Sequence, residues 1–407
     1  MVCITCHSCV QKLALAGRTG ISPVAAVIPW WRLLCLLAVL AAATAPCAAQ
    51  RSRSPDEIRL HEIQLIGTHN SYHLAPHAPV GGLISTVSAS LLESIEYSHR
   101  PLPEQLEQLQ VRQLELDVYA DPEGGLFATP IGRSVVVAAG QDPGPDPNAD
   151  GSLGQPGFKV LHAPGFDFLT TVTTLRQAFL QIRTWSKSRP DHLPVMILLE
   201  LKESAPGPTG VQVVRYSPEL LQQLNALICE IFPTDARFSP QDLCAAEDLC
   251  VRDAVLRRGW PQLGDVRGRV FFCLDNEGPW TERYLGACAS PKEALLFVSV
   301  APEHPQAAWM KRNDPELQFA EIQSLVERHF LIRTRADADT IQSRRNDGSR
   351  REQAMASGAQ YISTDFPQSQ PRFSEYRVCW PDGQPARYSP RFTAPPASDV
   401  QWEVRGD

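Results

Sequence analysis

The first fifty residues contain no acidic side chain, although the whole chain carries 45 Asp and Glu against 38 Lys and Arg. No glycine-rich turn follows the first predicted strand, which argues against a dinucleotide-binding fold. There is no internal repeat and no low-complexity tract, which excludes solenoid and propeller architectures. The apolar run of the N-terminal region, Leu33 to Ala43, falls short of the roughly 20 residues that a membrane-spanning helix needs. Cys3, Cys6 and Cys9 have metal-like spacing, but they lie in the segment expected to be removed, so no zinc site is expected.

What the leader does contain reads as an export signal. Trp30, Trp31 and Arg32 precede the apolar run, small residues follow (Ala45, Cys47, Ala48, Ala49), and polar Gln50 to Arg53 close it. Residues 1–49 are therefore expected to be cleaved, leaving 50–407 as a single catalytic domain that is secreted or periplasmic. Cleavage removes Lys12, Arg18 and Arg32 and no acid, so three positive charges are lost and the formal net charge moves from −7 to −10. A chain that acidic does not hold nucleic acid or an anionic membrane by bulk electrostatics. Six cysteines remain after cleavage: Cys229, Cys244, Cys250, Cys273, Cys288 and Cys379. An even number in an exported chain predicts disulfides, with the pairing left open.

Beyond the leader, apolar β-rich runs alternate with amphipathic stretches. The predicted strands are Ile63–Thr68, Arg112–Val118, Lys159–His162, Val195–Leu201, Arg269–Leu274, Ala294–Val300, Phe330–Arg333 and Gln360–Thr364. Between them lie helical patterns such as Leu175–Ser186 and Pro218–Ile231. Continuous apolar strands alternating with helices imply a parallel sheet covered on both faces, and eight of them suggest a TIM-type (β/α)8 barrel. A Gly/Pro/Asp-rich insertion at about 121–157 separates the second and third strands.

The polar residues of interest fall at the C-terminal ends of the first four strands, which a barrel gathers at one mouth. His69 and Asn70 follow the first strand, Glu115 and Asp117 end the second, His162 ends the third, and Glu200 and Lys202 end the fourth. Glu115 and Asp117 are two apart, so both side chains leave the strand on one face, with Leu114, Leu116 and Val118 on the other. Two adjacent carboxylates repel unless a cation lies between them or one keeps its proton. With Glu200 and the Asn70 amide oxygen they form a hard, all-oxygen donor set suited to calcium or magnesium. His69 and His162 would then serve proton transfer to and from a phosphodiester.

The segments Thr68-His69-Asn70-Ser71-Tyr72, Glu115-Leu116-Asp117, His162 and Pro194 to Glu200 resemble, in order, the catalytic X region of phosphoinositide-specific phospholipase C. Arg333 to Asp337 and Ala356 to Pro367 resemble the last two strands of its compact, secreted, calcium-dependent branch. The resemblance covers about residues 60–370. It implies Ca2+ bound by Asn70, Glu115, Asp117 and Glu200, with His69 on the phosphate and His162 assisting the leaving group. It further implies that Glu115 accepts the proton of an inositol 2-hydroxyl, releasing diacylglycerol and a cyclic inositol phosphate. Lys202, Arg333 and Arg335 are substrate-binding candidates by strand-end position. The implied partner is a phospholipid at a membrane surface, with no nucleic acid and no obligate protein partner.

Features of the large cytosolic enzymes are missing: no EF-hand loop, no separate lipid-binding module and no split barrel. Phosphatidylinositol, a glycosylated inositol lipid and a polyphosphoinositide all remain open as substrates. Two other readings stand beside this one. A glycerophosphodiester phosphodiesterase or phospholipase D of the same superfamily would open with a His-Arg-Gly turn, where this chain has His69-Asn70-Ser71. An inactive exported calcium- or lipid-binding barrel would bind the ion without turnover.

Overall fold

The computed structural model describes residues 53–204, 211–244, 249–290, 293–392 and 400–403. The expected leader, 1–49, lies outside the described residues. Among the described residues, eleven strands form in chain order: β1 (Ile63–Thr68), β2 (Gln113–Asp121), β3 (Gly157–Val160), β4 (Val195–Lys202), β5 (Arg237–Phe238), β6 (Val270–Leu274), β7 (Leu296–Val298), β8 (Trp309–Lys311), β9 (Leu331–Arg335), β10 (Tyr361–Thr364) and β11 (Ala386–Tyr388). Parallel pairing runs β7–β6–β4–β2–β1–β10–β9–β8. A parallel bridge between Ser299, just past β7, and Trp309 of β8 closes the ring. The result is the expected barrel of eight parallel strands, almost wholly buried along their lengths because both faces are covered.

One stave differs from the sequence expectation. The run predicted at Lys159–His162 is antiparallel: β3 folds back along the end of β2, with Val118 opposite Val160 and Asp121 opposite Gly157. It extends β2 beyond the barrel as a hairpin. The eighth stave is instead β8, three residues behind Ala307-Ala308, too short to give a strand pattern of its own. The insertion joining β2 to β3 is built, not structureless. It holds a helix at Ile131–Ala138, and Arg133 Nη1 donates to the carbonyls of Gly144 (2.7 Å) and Pro145 (3.0 Å).

Period-two alternation divides the barrel wall into two environments. Leu114, Leu116, Val118, Ile197, Leu199 and Leu201 face outward into a core shared with the helices Leu175–Ser188 and Pro218–Ile231. The helices are started by Thr174 and Ser217, whose side chains accept from the backbone N–H of Gln177 and Leu220. Met196 and Leu198 belong to the other cluster, with Phe271, Cys273 and Tyr361. Two residues further along β4, on that same face, comes Glu200, and the register sets Asp117 beside it. An apolar floor thus carries a charged rim.

The disulfide expectation is not met. Among the described residues no disulfide forms: Cys229, Cys250, Cys273, Cys288 and Cys379 are free thiols. The Cys244 thiol donates to the Pro240 carbonyl at 3.4 Å. Cys273 lies inside the barrel on β6 while Cys229 is exposed on an outer helix, so these two stand in separate layers.

Candidate active site

Strand ends position the first group. His69 directly follows β1, and its backbone N–H donates to the Thr364 carbonyl at the end of β10 (3.1 Å). Its Nδ1 lies 2.8 Å from Asp365 Oδ1, so the ring donates there. Nε2 then presents its lone pair, 3.4 Å from Arg335 Nη1 and 3.7 Å from Glu115 Oε1. Burial, followed by the Arg335 charge, pushes the His69 pKa down to about 3 against the opposing pull of Asp365. Burial alone would raise the Asp365 pKa, but His69 and Arg335 hold it well below the usual carboxylate range.

Asn70 adopts a left-handed backbone (φ 44°), a conformation asparagine tolerates better than most residues. Its Nδ2 donates to the Tyr97 hydroxyl (3.2 Å), while its Oδ1 is buried without a hydrogen-bond partner. Glu115 Oε2 accepts from Arg333 Nη2 at 2.5 Å. Burial pushes the Glu115 pKa up to about 8, against Arg333 and with help from Asp275 and Asp117. Both Asp117 carboxylate oxygens are buried and accept no hydrogen bond. Lys202 Nζ lies 3.1 Å from Asp117 Oδ2 and 3.1 Å from Glu200 Oε1. Glu200 is pushed up to about 7 by burial and by the Asp117 charge.

His162 arrives by a different route. It lies two residues past β3, brought back to the mouth by the hairpin. Its Nδ1 is 2.6 Å from Asp167 Oδ2. The other oxygen of Asp167 is 2.9 Å from Nε2 of the buried His73, whose Nδ1 faces the Tyr97 carbonyl at 3.0 Å. Burial tends to lower the His162 pKa, but the hydrogen bond and charge of Asp167, with Asp117, carry it above the ordinary value. Asp167 is held well below its usual range by the two histidines, despite the opposing effect of burial.

Of the six expected catalytic and metal-binding positions, five therefore sit on or just after the neighbouring strands β1, β2 and β4 (His69, Asn70, Glu115, Asp117 and Glu200), and His162 joins them by the hairpin. Among the described residues, only His73, His162 and Asp167 gather three ligand-type atoms within 4.8 Å. Glu115, Asp117 and Glu200 do not; they are instead met by Arg333 and Lys202. The donor set nevertheless fits calcium. Asn70 Oδ1 is a buried acceptor with no hydrogen-bond partner, and the buried Asp117 oxygens accept no hydrogen bond and are met by an ammonium alone, so the hard oxygen atoms of a divalent-cation site are present.

The three substrate-binding candidates are internally engaged. Arg333 donates to Glu115, Asn313 (2.5 Å) and Ser363 (3.1 Å); Arg335 donates to Asp365 (2.9 Å); Lys202 bridges two carboxylates. Sequence reasoning missed Asp167 and His73 altogether and gave Asp365 no partner. Asp365 had a usable signal, since it directly follows the last strand. Asp167 lies in a loop and had none.

Two cavities flank the mouth. One, of about 330 Å³, is lined by Ile84, Val87, Leu91, Val135 and Phe166, and reaches His162 and Asp167. The other, of about 620 Å³, is polar and is lined by Glu200, Lys202, Glu203, Arg215, Asn276 and Trp280.

No curated protein sequence matches the chain. Among solved structures, a calcium-dependent phosphoinositol-specific phospholipase C from a Pseudomonas species in its apo form is 15% identical (TM-score 0.48), covering 84% of this chain and 97% of that one. A Ca2+-dependent phosphatidylinositol-specific phospholipase C from Streptomyces antibioticus is 13% identical (TM-score 0.47; 76% and 95% covered). The phosphatidylinositol-specific phospholipase C of Listeria monocytogenes is 12% identical (TM-score 0.44; 77% and 92%). The family model described as phosphoinositide phospholipase C, Ca2+-dependent, matches residues 58–390, the span that holds every site residue described above. The chain belongs to the calcium-dependent phosphoinositide phospholipase C family and is a phosphodiesterase.

Proposed function

We propose that the protein cleaves phosphatidylinositol-type lipids into diacylglycerol and a cyclic inositol phosphate. The observation that carries this reading is the pair of histidines each held through Nδ1 by a buried aspartate, His69 by Asp365 at 2.8 Å and His162 by Asp167 at 2.6 Å, in the mouth that holds the Asp117 carboxylate and the unpartnered Asn70 Oδ1. Calcium, when bound by Asn70, Glu115, Asp117 and Glu200, supplies charge neutralisation at the phosphate. His69, whose Nδ1 is fixed by Asp365, accepts the proton of the inositol 2-hydroxyl at Nε2, which lies beside Arg335 Nη1 (3.4 Å). That oxygen bonds to phosphorus, the bond to the diacylglycerol oxygen breaks, and His162 protonates the departing oxygen. Glu115, which the sequence suggested as the proton acceptor, is tied to Arg333 and buried; we assign it to the metal site.

The same geometry bears on the substrate. Lys202, Arg333 and Arg335 are all paired with internal carboxylates, which favours an inositol ring without further phosphates. The apolar cavity beside His162 suits the acyl end of the leaving group. Val87, Leu91 and Val135 are exposed around it, with Val87 83% accessible, and we propose that they meet the hydrocarbon of the lipid surface. No helix among the described residues is long and apolar enough to cross a membrane. We also propose that the chain is exported, on the strength of its leader.

Phosphorus NMR of the mature chain with phosphatidylinositol, in calcium and then in chelator, tests the reading. A cyclic inositol phosphate formed only with calcium is expected. A glycerophosphate product, or none from any inositol lipid, would replace it with one of the two alternatives above.

A further inference from the structure

Lys202 stands between two of the four expected calcium ligands. Residues 200 and 202 share a face of β4, and the register places Asp117 of β2 opposite Glu200. The ammonium therefore lies 3.1 Å from both carboxylates. Its contact with Glu200 is a hydrogen bond. Its contact with Asp117 is an ion pair whose alignment leaves both Asp117 oxygens without a hydrogen bond. The apposed carboxylates need a positive charge, and here a side chain supplies it.

Arg333 does the same for Glu115, but the two cations are held differently. The Arg333 side chain is 1% exposed and is also fixed by Asn313 and Ser363. The Lys202 side chain is 18% exposed, and its hydrogen bond is to a carboxylate that calcium would claim. It is a compact charge on a four-carbon stem, and it lines the 620 Å³ polar cavity, which gives it somewhere to go. Arginine is anchored; lysine can be exchanged.

We propose that Lys202 is the resident counter-ion of the metal-free site and that calcium enters by exchange with it. The ammonium withdraws into the polar cavity as the cation takes Asp117 and Glu200. Calcium affinity is then lower than the oxygen donors alone would give, because two ion pairs must be broken first. This rests on the calcium assignment of the family and adds the competitor to it.

The test is calorimetric titration of the mature chain with calcium chloride, without substrate, alongside thermal melting with and without the ion. Lys202→Met is expected to tighten calcium binding about tenfold or more, since it removes a cation beside the incoming one. Its metal-free Tm should fall and its calcium-bound Tm stay near wild type. Lys202→Arg, which keeps the charge, should bind calcium close to wild type. Unchanged Kd for Lys202→Met overturns the inference, and so does weaker binding, which would make the ammonium a support of the ion. Binding by Lys202→Met alone would uphold it. Absence of binding in both proteins would overturn the calcium assignment as well. Lys202→Gln replaces the methionine variant if that one fails to fold.

Discussion

Two histidines face one mouth, each with Nδ1 against a buried aspartate, yet their acid–base characters are driven in opposite directions. His69 rests on Asp365 at 2.8 Å and His162 on Asp167 at 2.6 Å. The difference lies in what else surrounds each ring. Around His69, the Arg335 guanidinium shares Asp365 and also faces Nε2, so burial and a like charge oppose protonation. Around His162, the same role against the aspartate is taken by His73, and Asp117 adds negative charge. A histidine–aspartate pair is therefore not a role in itself; the charge of the third neighbour decides which end of the proton transfer it serves.

The comparison can be broken most severely by deleting either ring. His69→Ala and His162→Ala should each lower kcat on phosphatidylinositol by about 10²- to 10⁴-fold, with unchanged far-ultraviolet circular dichroism. Near-normal turnover by the His69 variant would remove the base from the mechanism. A finer cut is Asp167→Asn. Because the carboxylate raises the His162 pKa, activity should fall as pH rises through that raised value, and the asparagine variant should lose activity at lower pH. The expected loss at neutral pH is about tenfold, read from kcat/KM against pH. An unshifted alkaline limb would show that Asp167 does not tune the acid. The same sign governs stability. A raised folded pKa contributes stability that is fully present below the unfolded value of about 6.5 and disappears as pH passes the folded one. The smallest change concerns the apolar flank that only His162 adjoins. Val87→Asp should weaken binding to phosphatidylcholine vesicles about tenfold while leaving cleavage of a soluble inositol phosphodiester unaltered. Equal vesicle binding would dismiss that face as a docking surface.

The parts of this arrangement that were legible in sequence are those governed by local periodicity. Glu115 and Asp117 on alternate positions of an apolar strand could point only to one face, and Glu200 after Val195–Leu199 obeys the same rule. The barrel itself was legible because several of its strands, β4 and β6 above all, are apolar runs that alternate with amphipathic helices. What escaped was set by tertiary pairing. Asp167 and His73 are 94 positions apart, and neither lies on a strand, so no spacing rule could join them. The fold-back of β3 escaped because a short apolar run looks the same whether it lies parallel or antiparallel to its neighbour. Cysteine parity misled for a related reason: an even count says nothing about whether the layers bring thiols together.

The closure between β7 and β8 has a practical meaning. It is one backbone bridge, Ser299 with Trp309, backed by the Ser299 hydroxyl accepting from the Lys311 N–H at 3.1 Å. None of the proposed catalytic or calcium-binding side chains is on either strand, and those of the mouth ride on the unbroken ladder β9–β10–β1–β2–β4 and its hairpin. New chain ends placed in the connection 301–308 would leave that ladder uninterrupted. The chemistry thus rides on the part of the circumference that this seam does not interrupt.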